Sequence, residues 1–273
     1  MDSTTFNEFR QIVYDRSGIA LNESKEALVR ARLGKRMRAL GMEDYREYLR
    51  HVTQDTTGEE IVHMLDAIST NVTHFFREAD HFAFLSEAFT GWLGQGQRRF
   101  RFWSAACSTG EEPYSLALTL LDATNGHSAD LKVLATDIST RALDICRRGE
   151  YPDEKTKDIP PSLRERYFER GGARTDPTYS VRAEAREIVV PKRLNLSKPP
   201  FPMHGPMDAV FCRNVMIYFD NTVRKRLLDE MYRLLKPGGF LFVGHAESLT
   251  GMMSEFKAVK PSIYVKQRLG LDR

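Results

Sequence analysis

Cysteine is scarce: Cys107, Cys146 and Cys212 are the only three in 273 residues, with no CxxC pair and no histidine at ligand spacing. That excludes a disulfide framework and gives no basis for a metal site; none is expected. Long apolar runs are also missing. Every uncharged stretch falls short of the roughly 18 residues that cross a bilayer, so no direct membrane insertion is expected. The opening Met1-Asp2-Ser3-Thr4-Thr5-Phe6 carries an acid where a secretory leader would be basic, and the expected location is cytoplasmic. Neither charge sign dominates, with 40 Lys+Arg against 37 Asp+Glu and a net charge of +3. So small an excess is no nucleic-acid signature, and no nucleic acid is expected as a partner. Apolar side chains are plentiful, at 41% of residues with 10% aromatic. They suffice for a real core, over a length that suggests about two domains and calls for no more than a monomer.

The chain up to about residue 90 reads as helical. Thr5-Phe6-Asn7-Glu8 has the form of a capping box with Thr5 at the N-cap, followed by Phe9, Ile12 and Val13 at helical spacing and by Gly18 as a stop. A second helix is expected from near Asn22 to Gly41, with Val29, Leu33, Met37 and Leu40 on one face. A third covers Asp44 to Val52. Thr57-Gly58-Glu59-Glu60 opens a fourth, which buries Ile61, Met64, Leu65 and Ile68.

After Phe100, short apolar runs alternate with helical patterns, the βαβ signal of a parallel sheet. Strands are expected at Arg101–Ala106, Lys132–Thr136, Met207–Cys212, Phe240–Gly244 and Ser262–Lys266. Helices are expected at Pro113–Ala123, Thr140–Arg148, Leu163–Arg170 and Thr222–Leu235, with Leu235–Gly239 as a tight turn. Tyr179–Arg182 and Glu187–Val190 read as a small antiparallel insertion at about 171–193. The expected organisation is a helical domain over 1–70, a linking region over 71–90 that contributes to a ligand site, and an α/β domain over 91–273.

Two places carry chemistry. Cys107-Ser108-Thr109-Gly110-Glu111-Glu112-Pro113 follows the first strand and opens a helix, where open α/β sheets place their ligands. Gly110 would allow close backbone approach, but this is neither G-x-G-x-x-G nor a phosphate-cradling GK[ST] loop. Glu111 and Glu112 would repel a pyrophosphate; they either complement the helix dipole or meet a ligand ammonium group, and spacing does not separate the two. Asp137, at the end of the second strand, either caps the following helix or holds ribose hydroxyls. Together they favour a nucleoside bearing an amine over one bearing a diphosphate.

Three longer motifs are more specific: Asn71-Val72-Thr73-His74-Phe75-Phe76-Arg77-Glu78, Ser104–Ser115 and Phe211-Cys212-Arg213-Asn214-Val215-Met216-Ile217-Tyr218-Phe219-Asp220. In this order, joined by Leu235–Gly239 and Gly244-His245-Ala246-Glu247-Ser248, they resemble the bacterial chemotaxis receptor glutamate methyltransferases, the CheR family, over essentially the whole chain. The resemblance implies an α/β fold: an all-helical N-terminal domain, then a Rossmann-like class I S-adenosylmethionine-dependent methyltransferase domain with a small antiparallel β insertion. It implies S-adenosylmethionine as donor, S-adenosylhomocysteine as product, and glutamate γ-carboxylates on the cytoplasmic methylation helices of chemoreceptors as acceptors, in chemotaxis adaptation.

By the same resemblance, Asn71, Thr73 and Arg77 contact the cofactor from the linking region, Glu112 meets the methionine ammonium, and Asp137 binds ribose. Asn195 and Leu196 surround the adenine, Asn214 and Val215 lie beside the methionine end, and Arg77 and Tyr218 act near the reacting centre. Taken alone, Arg77 reads as an ion-pair partner of Glu78 or Asp80, and Tyr218 as strand-end packing. Arg32, Lys35, Arg36 and Arg38 crowd the second helix and would receive an acidic receptor helix; Arg32, Lys35 and Arg38 lie off its apolar stripe. In some family members the β insertion docks a receptor C-terminal pentapeptide by strand addition. The rival readings are a methyltransferase of RNA or a small molecule with the same donor, and a non-catalytic cofactor-binding adaptor.

Overall fold

A computed structural model describes residues 1–173, 175–249, 251–252 and 255–267. The helical domain holds α1 (Ser3–Ser17), α2 (Glu26–Ala39), α3 (Tyr45–Gln54) and α4 (Glu59–Ile68). α1 starts two residues before the expected cap. Asp2 is the N-cap, accepting the Thr5 N–H at 3.0 Å and its hydroxyl at 2.9 Å, because a carboxylate outcompetes a hydroxyl for exposed amides at a positive helix end. Gly18 closes the helix in the left-handed region as expected. At α4, Asp55 accepts the Glu60 N–H and the Thr57 hydroxyl accepts the Glu59 N–H. Glu60 does not reach back as a capping box would. It turns inward and accepts Arg36 Nε at 3.0 Å, Arg36 Nη2 at 2.5 Å and the Tyr48 hydroxyl at 2.7 Å.

α5 (Ala79–Gly94) leads into the sheet domain. There follow β1 (Arg99–Ala105), α6 (Glu111–Ala123), β2 (Asp130–Asp137), α7 (Thr140–Arg148), β3 (Glu150–Pro152), α8 (Pro161–Tyr167), β4 (Phe168–Ala173) and β5 (Asp176–Val181). The chain ends with α9 (Ala183–Arg186), β6 (Val189–Arg193), β7 (Met207–Cys212), α10 (Asn221–Leu234), β8 (Leu235–Val243), β9 (Phe256–Lys260) and β10 (Ile263–Lys266). The main sheet runs β6-β2-β1-β7-β8-β10-β9, parallel from β6 to β8, with β10 antiparallel to both β8 and β9.

The antiparallel insertion is displaced from its expected position. Its three strands are β3, β5 and β4, so it spans Glu150 to Val181 rather than about 171–193. The expected strand Glu187–Val190 is the start of β6, which pairs parallel with β2 in the main sheet. Its Val189-Val190 pair sits beside another buried strand, and local pattern alone does not say which sheet it joins. Leu235–Gly239 is likewise the first part of β8, with a register shift opposite Met207 and Ala209, rather than a turn.

The helical domain sits over the carboxyl ends of the strands. Ala20 N–H donates to the Tyr218 carbonyl at 2.8 Å, Tyr14 Oη to Asp220 Oδ2 at 2.5 Å, and Asn195 Nδ2 to the Arg16 carbonyl at 2.7 Å. Asp66 of α4 accepts the Thr140 and Arg141 amides at the start of α7. Phe75 anchors the link by packing edge-on against Tyr151 and Phe168.

Burial alone would raise the Glu60 pKa, but Arg36 and Tyr48 outweigh it and the net direction is down from 4.5. The carboxylate therefore contributes stability that is fully present above 4.5 and lost as pH falls through the lower folded value. Glu60→Ala is expected to cost roughly 3 kcal/mol at pH 7, since it leaves the Tyr48 hydroxyl and Arg36 without their partner. Denaturant unfolding followed by circular dichroism at pH 7 and pH 3 measures both effects; the mutant's deficit should shrink at the lower pH.

Candidate active site

The order of the sheet reverses between β1 and β7, the position at which open α/β sheets bind ligands beyond their carboxyl ends. A cavity of ≈ 340 Å³ lies there. Its walls come from Asn71 to His74 and Arg77 of the link, Ala106 and Ser108 after β1, Glu112 on α6, and Asp137 ending β2. Leu194, Asn195 and Leu196 after β6, Arg213 to Val215 after β7, and Tyr218 complete them. Ser17, Ile19 to Leu21, Lys25, Leu28 and Arg32 of the helical domain form the roof. Among the described residues, five of the seven non-glycine residues with positive φ — Phe76, Glu78, Ala106, Ser108 and Asn214 — lie in these loops. Left-handed backbone is unfavourable for such residues, so its concentration here marks loops held in position by their surroundings.

The structure separates the two adjacent acids. Glu111 is fully buried and engaged by the Thr109 hydroxyl and the Lys155 ammonium. Glu112 faces the cavity, accepting the Ser104 hydroxyl at 2.7 Å and Arg213 Nη1 at 3.2 Å. Burial raises its pKa above 4.5 despite Arg213 and Ser104. The same guanidinium binds Glu78 Oε2 at 3.0 Å through Nη2, which also donates to the Arg77 carbonyl. Burial works to raise Glu78 too, but Arg213 and the His245 amide bring it below its ordinary value. Arg213 itself is buried against Phe82 and Phe211. No role was expected for it; its place right after the Phe211-Cys212 strand end, beside Asn214, was the available signal.

Asp137 is not the cap of the following helix; its carboxylate bridges two loops. Oδ2 accepts the Ser108 amide at 2.8 Å and Oδ1 the Ser139 amide at 2.9 Å, which joins the loops after β1 and β2. The cap of α7 is Ser139, and each Asp137 oxygen retains a lone pair for a ligand hydroxyl. Burial raises the pKa of Asp137.

Gly110 does not line the cavity as expected. A Cβ there would strike the Tyr151 hydroxyl and Cys146 at 2.6 and 2.8 Å, and φ is +103°, so packing and conformation demand the glycine. Asn195 does line the cavity, but its amide is already engaged by the Arg16 carbonyl and by Ser197. Arg77 pairs with neither Glu78 nor Asp80 among the described residues; its Nη1 donates to the Val72 carbonyl at 3.3 Å. The basic helix divides. Arg36 is held by Glu60, and Arg32 donates to the Ile68 and Ser69 carbonyls and to Thr70, so both point inward. Lys35 and Arg38 are exposed and stand outside the cavity.

Glu247 ties the loops after β7 and β8, accepting the amides of Asn214 and Gly244 at 2.8 Å each. Among the described residues, the cluster whose ligand atoms approach most like a cation site is Glu78, His81 and His245, within 4.8 Å of one another. Glu78 there already serves Arg213, and His81 Nε2 meets Ser262 Oγ at 2.7 Å.

The strand order, the cavity at its reversal and the two acids flanking it define a Rossmann-like α/β domain with a ligand site at its switch point and an added helical domain. Residues 71–265 match the family model described as CheR methyltransferase, SAM binding domain, and residues 4–69 match CheR methyltransferase, all-alpha domain. The chain is 39% identical over 259 residues to chemotaxis protein methyltransferase 2 of Pseudomonas aeruginosa, covering 95% of this chain and 91% of the relative. Against the chemotaxis protein methyltransferase of Salmonella typhimurium it is 40% identical, covering 95% and 88%. The chain belongs to the CheR methyltransferase family, and its cofactor is S-adenosylmethionine. The residues fit that molecule. Glu78 and Glu112 share one buried guanidinium, so the site carries an excess negative charge suited to an ammonium, and Asp137 offers lone pairs where a ribose belongs.

Glu112→Gln is expected to weaken S-adenosylhomocysteine binding by about 1.5–3 kcal/mol, or roughly ten- to a hundredfold in Kd by calorimetry. Because burial raises Glu112, it takes up its proton at a higher pH than an ordinary glutamate. Wild-type affinity should therefore fall on acidification starting above pH 4.5, while the Gln variant lacks this part of the profile.

Proposed function

We propose that this chain transfers the methyl group of S-adenosylmethionine to glutamate γ-carboxylates on the methylation helices of chemoreceptors, giving glutamyl methyl esters. The observation that carries the reading is that Arg77 and Tyr218 open into the same cavity as Glu112 and Asp137. When bound, the cofactor supplies an electrophilic methyl on a positively charged sulfur. A glutamate of pKa near 4.3 is already ionised at pH 7 and needs no general base. Arg77 draws that carboxylate to the cavity mouth, and Tyr218 orients it. The Ala20–Tyr218 and Tyr14–Asp220 bonds hold the Tyr218 turn in place. Opposite charges cancel as the bond forms, so the chain contributes alignment and partial exclusion of water rather than proton transfer.

Lys35 and Arg38, both free of the inward contacts that hold Arg32 and Arg36, supply the basic face toward an acidic receptor helix. The outer strand β4 exposes every residue after Phe168, which supports strand addition by a receptor C-terminal pentapeptide. The enzyme acts in the cytoplasm as a monomer under this reading.

With tritiated methyl donor and receptor-bearing membranes, base-labile label should appear on receptor protein; label on RNA instead would overturn the assignment. Arg77→Ala and Tyr218→Phe should each lower the rate more than about tenfold, at least about 1.4 kcal/mol, with the fold retained. Lys35→Glu with Arg38→Glu should raise the receptor KM and leave cofactor affinity unchanged. In wild type, methylation should fall as salt rises and screens that attraction.

A further inference from the structure

Of the five exposed large apolar side chains among the described residues, Val72 and Leu28 line the cavity and Ile217 is next in sequence to its lining residue Tyr218. Among the described residues, the most exposed large apolar side chains are Val72 at 77% and Ile217 at 50%. Val72 lies between Asn71 and Thr73 on the cavity wall, and Ile217 immediately precedes Tyr218. Leu28, also exposed, faces the same cavity from the helical domain. These side chains stand on fixed backbone: the Val72 carbonyl accepts Arg77 Nη1, and the Ile217 amide donates to Glu247. Apolar groups exposed to water at the edge of a reaction cavity mark a contact surface.

The charge around them identifies the occupant. Besides the acids Glu112 and Asp137, the cavity is lined by Lys25 and Arg32 of the helical domain and Arg77 of the link, which favour an anionic group on that side. A carboxylate carried on a helix arrives with the residues three and four positions away on the same face, and these come down on the rim. Resting on the reading of the chain as a receptor methyltransferase, we propose that Val72, Ile217 and Leu28 form a specificity rim. It receives the side chains one helical turn from the target glutamate, accepting small or apolar residues there and rejecting charged ones, whose desolvation the rim cannot repay.

The test uses the full chain with Val72→Ser, Ile217→Ser and both together, which leave charge unchanged, and Val72→Leu as the conservative control. The receptor KM should rise about tenfold in the double variant and stay near wild type in Val72→Leu, with kcat and the S-adenosylhomocysteine Kd unchanged. The increase should persist at high salt. In a second arm, the residue four positions from a methylated receptor glutamate, where it is small or apolar, is replaced by lysine; wild type should lose methylation of that site, and the double variant should lose little further. A wild-type KM in the double variant overturns the rim. So does a weakened S-adenosylhomocysteine Kd, which would assign these residues to the cofactor. Absence of base-labile label on receptor with the wild-type chain would instead sink the receptor-methyltransferase reading itself.

Discussion

The site depends on one buried cation. Arg213 lies between Glu78 and Glu112, with its guanidinium against Phe82 and Phe211. Removing a charge from water is costly unless it is paired and hydrogen-bonded, and here two carboxylates and the Arg77 carbonyl meet that requirement. The pairing joins the turn that bears Arg77 to the helix that bears Glu112, two segments far apart in the chain. It also leaves two acids to one guanidinium. The two respond differently: Glu78 is held below its ordinary pKa and Glu112 is raised by burial, so Glu112 is the acid short of a counter-charge. Under the proposed function a ligand ammonium would complete the set.

The helical domain does more than present a surface. Ser17 and Ile19 to Leu21 form part of the cavity roof, and backbone pairing of Ile19 with Phe219 draws the Tyr218 turn into an interdomain contact. Asp66 gives α7 its remaining cap across the domain boundary. Arg32 ties α2 to the start of the link by holding carbonyls at the end of α4. The α2 side of the helical domain and the cavity below it are thus linked through short, directly bonded paths.

Much of this was legible in the amino-acid order. The alternation after Phe100 predicted a parallel sheet, and Met207–Cys212 was bounded correctly because six consecutive buried residues leave little ambiguity. Val29, Leu33 and Met37 share a face by helical spacing and are buried together. Asp137 was identifiable from its place at a strand end. The boundaries failed where two local solutions compete: Asp2 displaced Thr5 at a helix start, and Val189–Arg193 joined the larger sheet because β2 offered a free edge.

The sequence by itself determined which residues share a helix face or end a strand, since those follow from fixed periods of 3.6 and 2. It also placed the acids and the Arg77 and Tyr218 motifs in order along the chain. Only the tertiary structure decided partners. It sent Glu111 inward and left Glu112 in the cavity, set Gly110 against Tyr151 rather than a ligand, and turned Arg32 and Arg36 away from the surface that Lys35 and Arg38 keep. The reason is physical: a charge is directed by whichever opposite group burial brings within reach, and that group lies elsewhere in the chain.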